Sequence, residues 1–284
     1  MKVRLIDTYS FLKYIYVHYF FHRKRNKKIK EIKNLYYFNS DKLKLKKFKN
    51  VFKNDSCVLI GNGPSLNKVD FTKLQNVTTF AANNFYLMSE KNNFFPDFFT
   101  IEDNLVIESN IDQIEMLKSY KAGEKFFSYN LKKYFLDENI NYFFNDGRFI
   151  SDTFSIKRNT NIKFSKNFSK VSYSGHSVTY INLQLAYFMG FKTVYLVGMD
   201  FNYVMPKYMK QNLNLFKSNF EDKNHFYSKE FKAGDKFYNP QLNKVQIAFE
   251  KAKSVFESNN RNIINLTHGG DLTVFRRDDF NNVF

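Results

Sequence analysis

The chain has 284 residues with 43% hydrophobic content, enough for one large domain with appendages. Its formal net charge of +17 is unevenly placed: residues 1–50 hold fifteen of the 44 Lys/Arg and three of the 27 Asp/Glu, a net +12, and the remainder carries only +5. That distribution disfavours a nucleic-acid-binding core, and the single Cys57 excludes an internal disulfide framework and a cysteine metal cluster.

Residues 1–50 read as a basic, aromatic N-terminal arm. Its apolar run from Leu5 to Phe21 is interrupted by Asp7, Lys13 and His18, which makes it too short and too polar to span a bilayer. Cleavage-site chemistry of a signal peptide is lacking as well. The run leads into a cluster of positive charge from His22 to Lys30, a pattern suited to an anionic membrane surface, where each basic residue contributes about 1 kcal/mol. The alternative is a helix packed on the domain or in a homo-oligomer, with its charges solvated. The expected location is cytoplasmic, peripheral to the inner face of the cell membrane.

From residue 51 onward the pattern predicts a doubly wound, mostly parallel Rossmann-like α/β sheet. Cys57 to Ile60 is a buried strand that stops at Gly61-Asn62-Gly63-Pro64-Ser65, where the glycines permit tight turning and close approach of a ligand. The loop is neither a Walker loop nor a dinucleotide fingerprint, and Asn62 adds a side chain that can donate and accept. A second strand at 76–82 ends at Asn83-Asn84, and a third at 97–101 ends at Glu102-Asp103, acids suited to a metal, a hydroxyl or a helix cap. A helix at 111–120 and a short strand at 125–129 follow, then an irregular stretch near 131–170 that reads as a lid or insertion. Ser174-Gly175-His176-Ser177 opens a buried helix to Met189, closed by Gly190, and Thr193 to Gly198 is a buried strand ending at Asp200. A mobile segment near 204–238 contains His225. A helix from Pro240 to Glu257 and a strand at 262–267 complete the pattern. The 35 Phe and 19 Tyr, with no Trp and abundant Lys and Asn, reflect a coding bias and not stacking platforms.

The segments Gly61 to Leu66, Asn83 to Tyr86, Gly175 to Val178, Gly190 to Phe201 and Asn224 to Phe226 together resemble the bacterial family labelled 6-hydroxymethylpterin diphosphokinase-like, whose superfamily includes motility-associated glycosyltransferases. In the same order they are similar to the monofunctional bacterial sialyltransferases, which use CMP-sialic acid on a single Rossmann-like domain. The resemblance covers about residues 55–280. It implies an inverting, metal-independent glycosyltransferase of surface glycans that takes a CMP-activated nonulosonate or related acidic sugar and a glycan acceptor, with no cofactor. Nucleotide and donor contacts are implied for Gly61, Asn62, Gly63, Ser65, Asn83, Asn84, Asp103, Ser177, Gly198 and Asp200. His225 is implied as the base that accepts the acceptor's proton, with Tyr203 and Tyr227 as donors to the departing phosphate. The family carries a His-Tyr-x-x-x-His arrangement where this chain has one His, so which of the two His225 replaces stays open. Two other readings compete: an ATP- and magnesium-dependent pterin pyrophosphokinase, with Glu102 and Asp103 on the metal, and a non-catalytic membrane-recruited scaffold.

Overall fold

A computed structural model describes residues 23–38, 40–104, 107, 114–147, 162–204, 209–210, 215–216, 220–221, 223–227, 230–231 and 241–284. Strands β1 (Ser56–Ile60), β2 (Thr78–Ala82), β3 (Phe98–Ile101), β4 (Glu124–Ser128), β5 (Ile140–Phe143), β6 (Thr193–Val197), β7 (Asn262–Asn265) and β8 (Arg276–Arg277) form one sheet. Their spatial order is β8-β7-β6-β1-β2-β3-β4-β5, and every pairing is parallel. This is the doubly wound Rossmann-like α/β architecture that the alternation of apolar runs and helices predicts.

Both faces of the sheet are covered, as an all-parallel sheet requires. Along β1 successive side chains point to opposite faces, so Cys57 and Leu59 join one apolar cluster while Val58 and Ile60 join the other. The first cluster is roofed by helices α1 (23–37), α2 (Asp41–Lys46), α5 (Val178–Met189) and α6 (Leu242–Glu257). The second packs against α3 (Tyr86–Asn92), α4 (Ile114–Ser119) and α7 (Phe280–Val283). Phenylalanine fills this interior: Phe98 meets Phe48, Phe52, Phe80 and Phe126 with ring centroids 4.6–6.4 Å apart. Such pairs contribute about 0.5–1.5 kcal/mol each beyond area burial.

Local chemistry explains the central helices. The Ser177 hydroxyl accepts from the Thr179 N–H and caps α5, and Gly190, at φ 103°, ends it in the left-handed region. In α6 the buried residues Val245, Ala248, Phe249, Ala252, Val255 and Phe256 recur at helical spacing and leave the other face to water.

Three sequence expectations change. The stretch read as a lid near 131–170 contains β5, the sheet's edge strand, which pairs Lys125 with Ile140 through Ser128 with Phe143; residues 148–161 lie outside the described residues. The edge strand β8 follows β7 after the loop that contains Gly269 and Gly270, and its two arginines carry no strand period that the pattern could reveal. Packing also does not divide the chain at residue 50. Tyr36, Leu45 and Phe48 are buried in the first cluster, the Tyr36 hydroxyl donates to the Ser169 carbonyl at 2.8 Å, and Lys132 pairs with the buried Asp41 at 2.6 Å. The apolar run that suggested a membrane surface falls on residues 1–22, outside the described residues. Among the described residues no helix is long and apolar enough to cross a membrane. Of the segment 204–238, the structure describes Val204, residues 223–227 and two short antiparallel pairs, Met209–Lys210 with Leu215–Phe216 and Phe220–Glu221 with Glu230–Phe231.

Candidate functional site

The chain builds the sheet outward from β1 to β5, then crosses back and lays β6 against the other side of β1. The switch in direction opens a crevice beyond the carboxyl ends of β1 and β6, the place where open α/β sheets bind ligands. Here the two loops are locked together. The Gly61 N–H donates to the Val197 carbonyl at 2.8 Å and the Gly63 N–H to the Gly198 carbonyl at 2.9 Å. A Cβ on Gly61 would lie 2.2 Å from the Gly198 oxygen, and one on Gly63 would lie 1.9 Å from Asp200 Oδ2, so the approach needs glycine at both positions.

A cavity of about 660 Å³ opens over this crevice. Of the residues implied by the family resemblance, Gly61, Asn62, Gly63, Asn83, Asn84, Asp103, Ser177, Gly198, Asp200, Tyr203, His225 and Tyr227 line it. Ser65 does not. It is buried beneath the loop, with its hydroxyl donating to Asp200 Oδ2 at 2.6 Å. The amide of Asn62 is oriented by donation to the Ala82 carbonyl at 3.1 Å. Asn83, His176 and Phe201, all on the cavity wall, have φ between 55° and 61°, a left-handed backbone that costs about 1–3 kcal/mol outside glycine and collects at functional sites.

Unsatisfied polar atoms gather on the same wall. The side-chain oxygens of Asn62, Asn83, Asn84, Asn104 and Asn182 are buried with no hydrogen-bond partner among the described residues, and all five residues line the cavity. Buried orphans of this kind are rare in folded proteins, and their clustering marks a wall prepared for a polar ligand.

The segment carrying His225 is held against the loop after β1. The Phe226 N–H donates to the Asn62 carbonyl at 2.9 Å, and the Asn67 amide to the Phe226 carbonyl at 3.1 Å. Asn224 exchanges two hydrogen bonds with the backbone of Val204, at 2.7 and 3.1 Å. His225 stacks on Tyr227 with centroids 5.3 Å apart, and Tyr203 meets its edge at 6.1 Å. The Tyr227 hydroxyl accepts from the Asn84 amide, which ties the end of β2 to this aromatic group.

Glu102, at the end of β3, is a site residue that the sialyltransferase resemblance did not supply, although the sequence offered it for a metal, a hydroxyl or a helix cap. It lines the cavity and accepts from the Ser174 hydroxyl at 2.7 Å and the Asn145 amide at 2.5 Å. Burial pushes its carboxyl up to about 7 and the neighbouring Asp103 adds to the rise, while the two hydrogen bonds act in the opposite direction. A group titrating there can exchange a proton near neutrality. The wall that sequence reasoning missed belongs to α1: Arg25, Lys28, Ile29 and Ile32 all line the cavity. Their spacing of three, four and seven, continued to the buried Tyr36, is a helical stripe that was available as a signal. No group of three or more His, Cys, Asp or Glu among the described residues could hold a metal ion.

The fold and the crevice define a Rossmann-like α/β protein with a polar ligand cavity at its topological switch point. Residues 29–205, well over half of the chain, match the family model described as 6-hydroxymethylpterin diphosphokinase MptE-like, and the chain belongs to that family. Among solved structures it is similar to the MAf glycosyltransferase from Magnetospirillum magneticum AMB-1, with 13% identity and a TM-score of 0.46. The match covers 84% of this chain and 38% of that one, so this chain spans less than half of that protein's length. No curated protein matches the chain.

Proposed function

We propose that the protein is a glycosyltransferase that takes a nucleotide-activated sugar, with a CMP-linked acidic sugar as donor and a glycan hydroxyl as acceptor. The observation that carries the reading is the cluster of orphaned asparagine oxygens on a cavity at the switch point, faced by His225, Tyr203 and Tyr227. Neutral amides on the cavity wall suit the base, ribose and sugar hydroxyls of such a donor, and a cavity of about 660 Å³ falls within the usual range of about 300–1,000 Å³ for ligand pockets. In the proposed reaction the acceptor oxygen attacks the anomeric carbon from the face opposite the phosphate. His225 takes the acceptor's proton as the bond to the leaving nucleotide breaks. The Tyr203 and Tyr227 hydroxyls donate to the phosphate oxygens that gain charge.

The family's own description favours a second reading, pyrophosphoryl transfer from ATP to a pterin, in which Glu102 and Asp103 would face magnesium. A thermal-shift panel of CMP, UMP, GMP and ADP, with and without magnesium, separates the two, because a ligand that binds the native state raises its melting temperature. Stabilisation by CMP in the absence of magnesium supports the first reading. Stabilisation confined to magnesium with the adenine nucleotide would replace it with the second.

A further inference from the structure

The donor proposed above is an anion, and the wall at the switch point is built from uncharged amides. The acids Asp103 and Asp200 also line the cavity, together with Glu102, whose carboxyl adds a third negative charge above about pH 7. Without a cationic contribution this site would repel a nucleotide. Among the described cavity-lining residues, Arg25 and Lys28 are the only Lys or Arg, and both come from α1.

Their placement follows from how α1 is anchored. Tyr36 inserts into the core and bonds to Ser169, which fixes the helix axis and turns the stripe of Arg25, Lys28, Ile29 and Ile32 toward the cavity. Arg25 is half-buried, and its guanidinium donates to the Gly147 carbonyl. Gly147 lies two residues beyond Asn145, the residue that bonds Glu102, so the cationic wall adjoins the Glu102 end of the cavity. Lys28 follows one turn along, exposed to water at the same cavity. A guanidinium presents its N–H donors in a planar fork whose geometry matches a bidentate oxyanion.

We propose that Arg25 and Lys28 of α1 form an oxyanion subsite that receives the phosphate or the sugar carboxylate of the bound donor. The inference rests on the nucleotide-sugar reading of the cavity and adds to it a segment that precedes the matched family region, residues 29–205.

The test measures binding of cytidine, CMP and CMP-N-acetylneuraminate to the full chain, its Lys28→Gln variant and its Arg25→Gln variant, by calorimetry at two salt concentrations. The wild type is expected to gain affinity at one step of that ladder. Each variant is expected to lose about tenfold of that gain while keeping its affinity for cytidine, a loss typical of one charge-assisted hydrogen bond. A loss at the step from cytidine to CMP assigns the phosphate, and a loss at the step from CMP to the acidic sugar assigns the carboxylate. Arg25→Gln also removes a contact to Gly147, so Lys28→Gln, which breaks no described hydrogen bond, keeps the test independent of folding. Variants that retain the whole wild-type ladder would overturn the subsite alone. A wild type that binds none of the three compounds would overturn the nucleotide-sugar reading and the subsite with it.

Discussion

The Ser65 hydroxyl donates to Asp200 Oδ2 at 2.6 Å, across 135 positions of sequence, and joins the loop after β1 to the loop after β6. The Ser65 N–H adds two longer contacts to the same carboxylate, at 3.2 and 3.4 Å. A hydroxyl used in this way holds the two walls of the crevice in register and is turned away from the ligand. Hydrogen bonds to a charged acceptor contribute about 1.5–3 kcal/mol. Ser65→Ala is therefore expected to lower unfolding free energy by about 1–2 kcal/mol, because the N–H contacts remain. Chemical denaturation of Ser65→Ala, Asp200→Asn and the double variant checks this through their coupling energy. Additive effects of the two single changes would dismiss the clasp.

The truncation most easily imagined from the sequence removes residues 1–50 as a detachable arm. The structure makes that cut expensive, because Tyr36, Leu45 and Phe48 are buried in the core beneath α1 and α2. Burial of a large apolar side chain contributes about 1.5–3 kcal/mol, so losing all three removes a sizeable part of a typical domain stability of about 5–15 kcal/mol. A chain starting at residue 51 is expected to lose its cooperative thermal transition or to aggregate. A truncated chain with wild-type melting behaviour would show that α1 and α2 are appendages after all.

The centre of the sheet was legible because β1 and β6 are short apolar runs ending at glycine, and covered parallel strands have that composition. The same holds for α5, whose Ser177 cap and Gly190 stop stand at its ends in the sequence. At the edges the signal fades: β5 is Ile-Asn-Tyr-Phe and β8 is two arginines, and neither carries a period that separates it from a loop. Positions on the cavity were readable where a polar residue lies within three residues of a strand's carboxyl end, as at Asn62, Asn83 and Asp200. The role of Ser65 was not, because its partner returns from the far side of the chain. The charges of α1 drew attention to solvent and lipid, and only the docked helix shows Arg25 and Lys28 turned toward the cavity.

Glu102 offers a pH-dependent signature. Its carboxyl is raised from 4.5 to about 7, chiefly by burial, so the folded chain retains a proton that the unfolded chain releases. Stability from this group is complete below about pH 4.5 and is lost as pH rises through about 7. Replacing it with Gln keeps a neutral group able to accept from Ser174. The melting temperature of Glu102→Gln minus that of the wild type is thus expected to grow between those two pH values and to level off above them. A difference that stays flat across that range would place the Glu102 carboxyl near its ordinary value.

His225 is the proposed base, and its setting defines how it should fail. The ring stacks on Tyr227, meets Tyr203 edge-on, and follows Asn224, whose two bonds to Val204 fix the backbone at the cavity. The hydrogen bonds of Asn224 to Val204 and of the Phe226 backbone to Asn62 and Asn67 are independent of the side chain at 225, so His225→Ala should fold with its neighbours in place. Turnover of a CMP-linked acidic sugar is expected to fall by about 10²–10⁴-fold, the usual contribution of a positioned acid–base group. Affinity for CMP should stay close to wild type, because the amide wall and the oxyanion donors remain. If turnover persists in the variant, the proton is taken elsewhere, and Glu102, on the same cavity and titrating near neutrality, becomes the group to replace next.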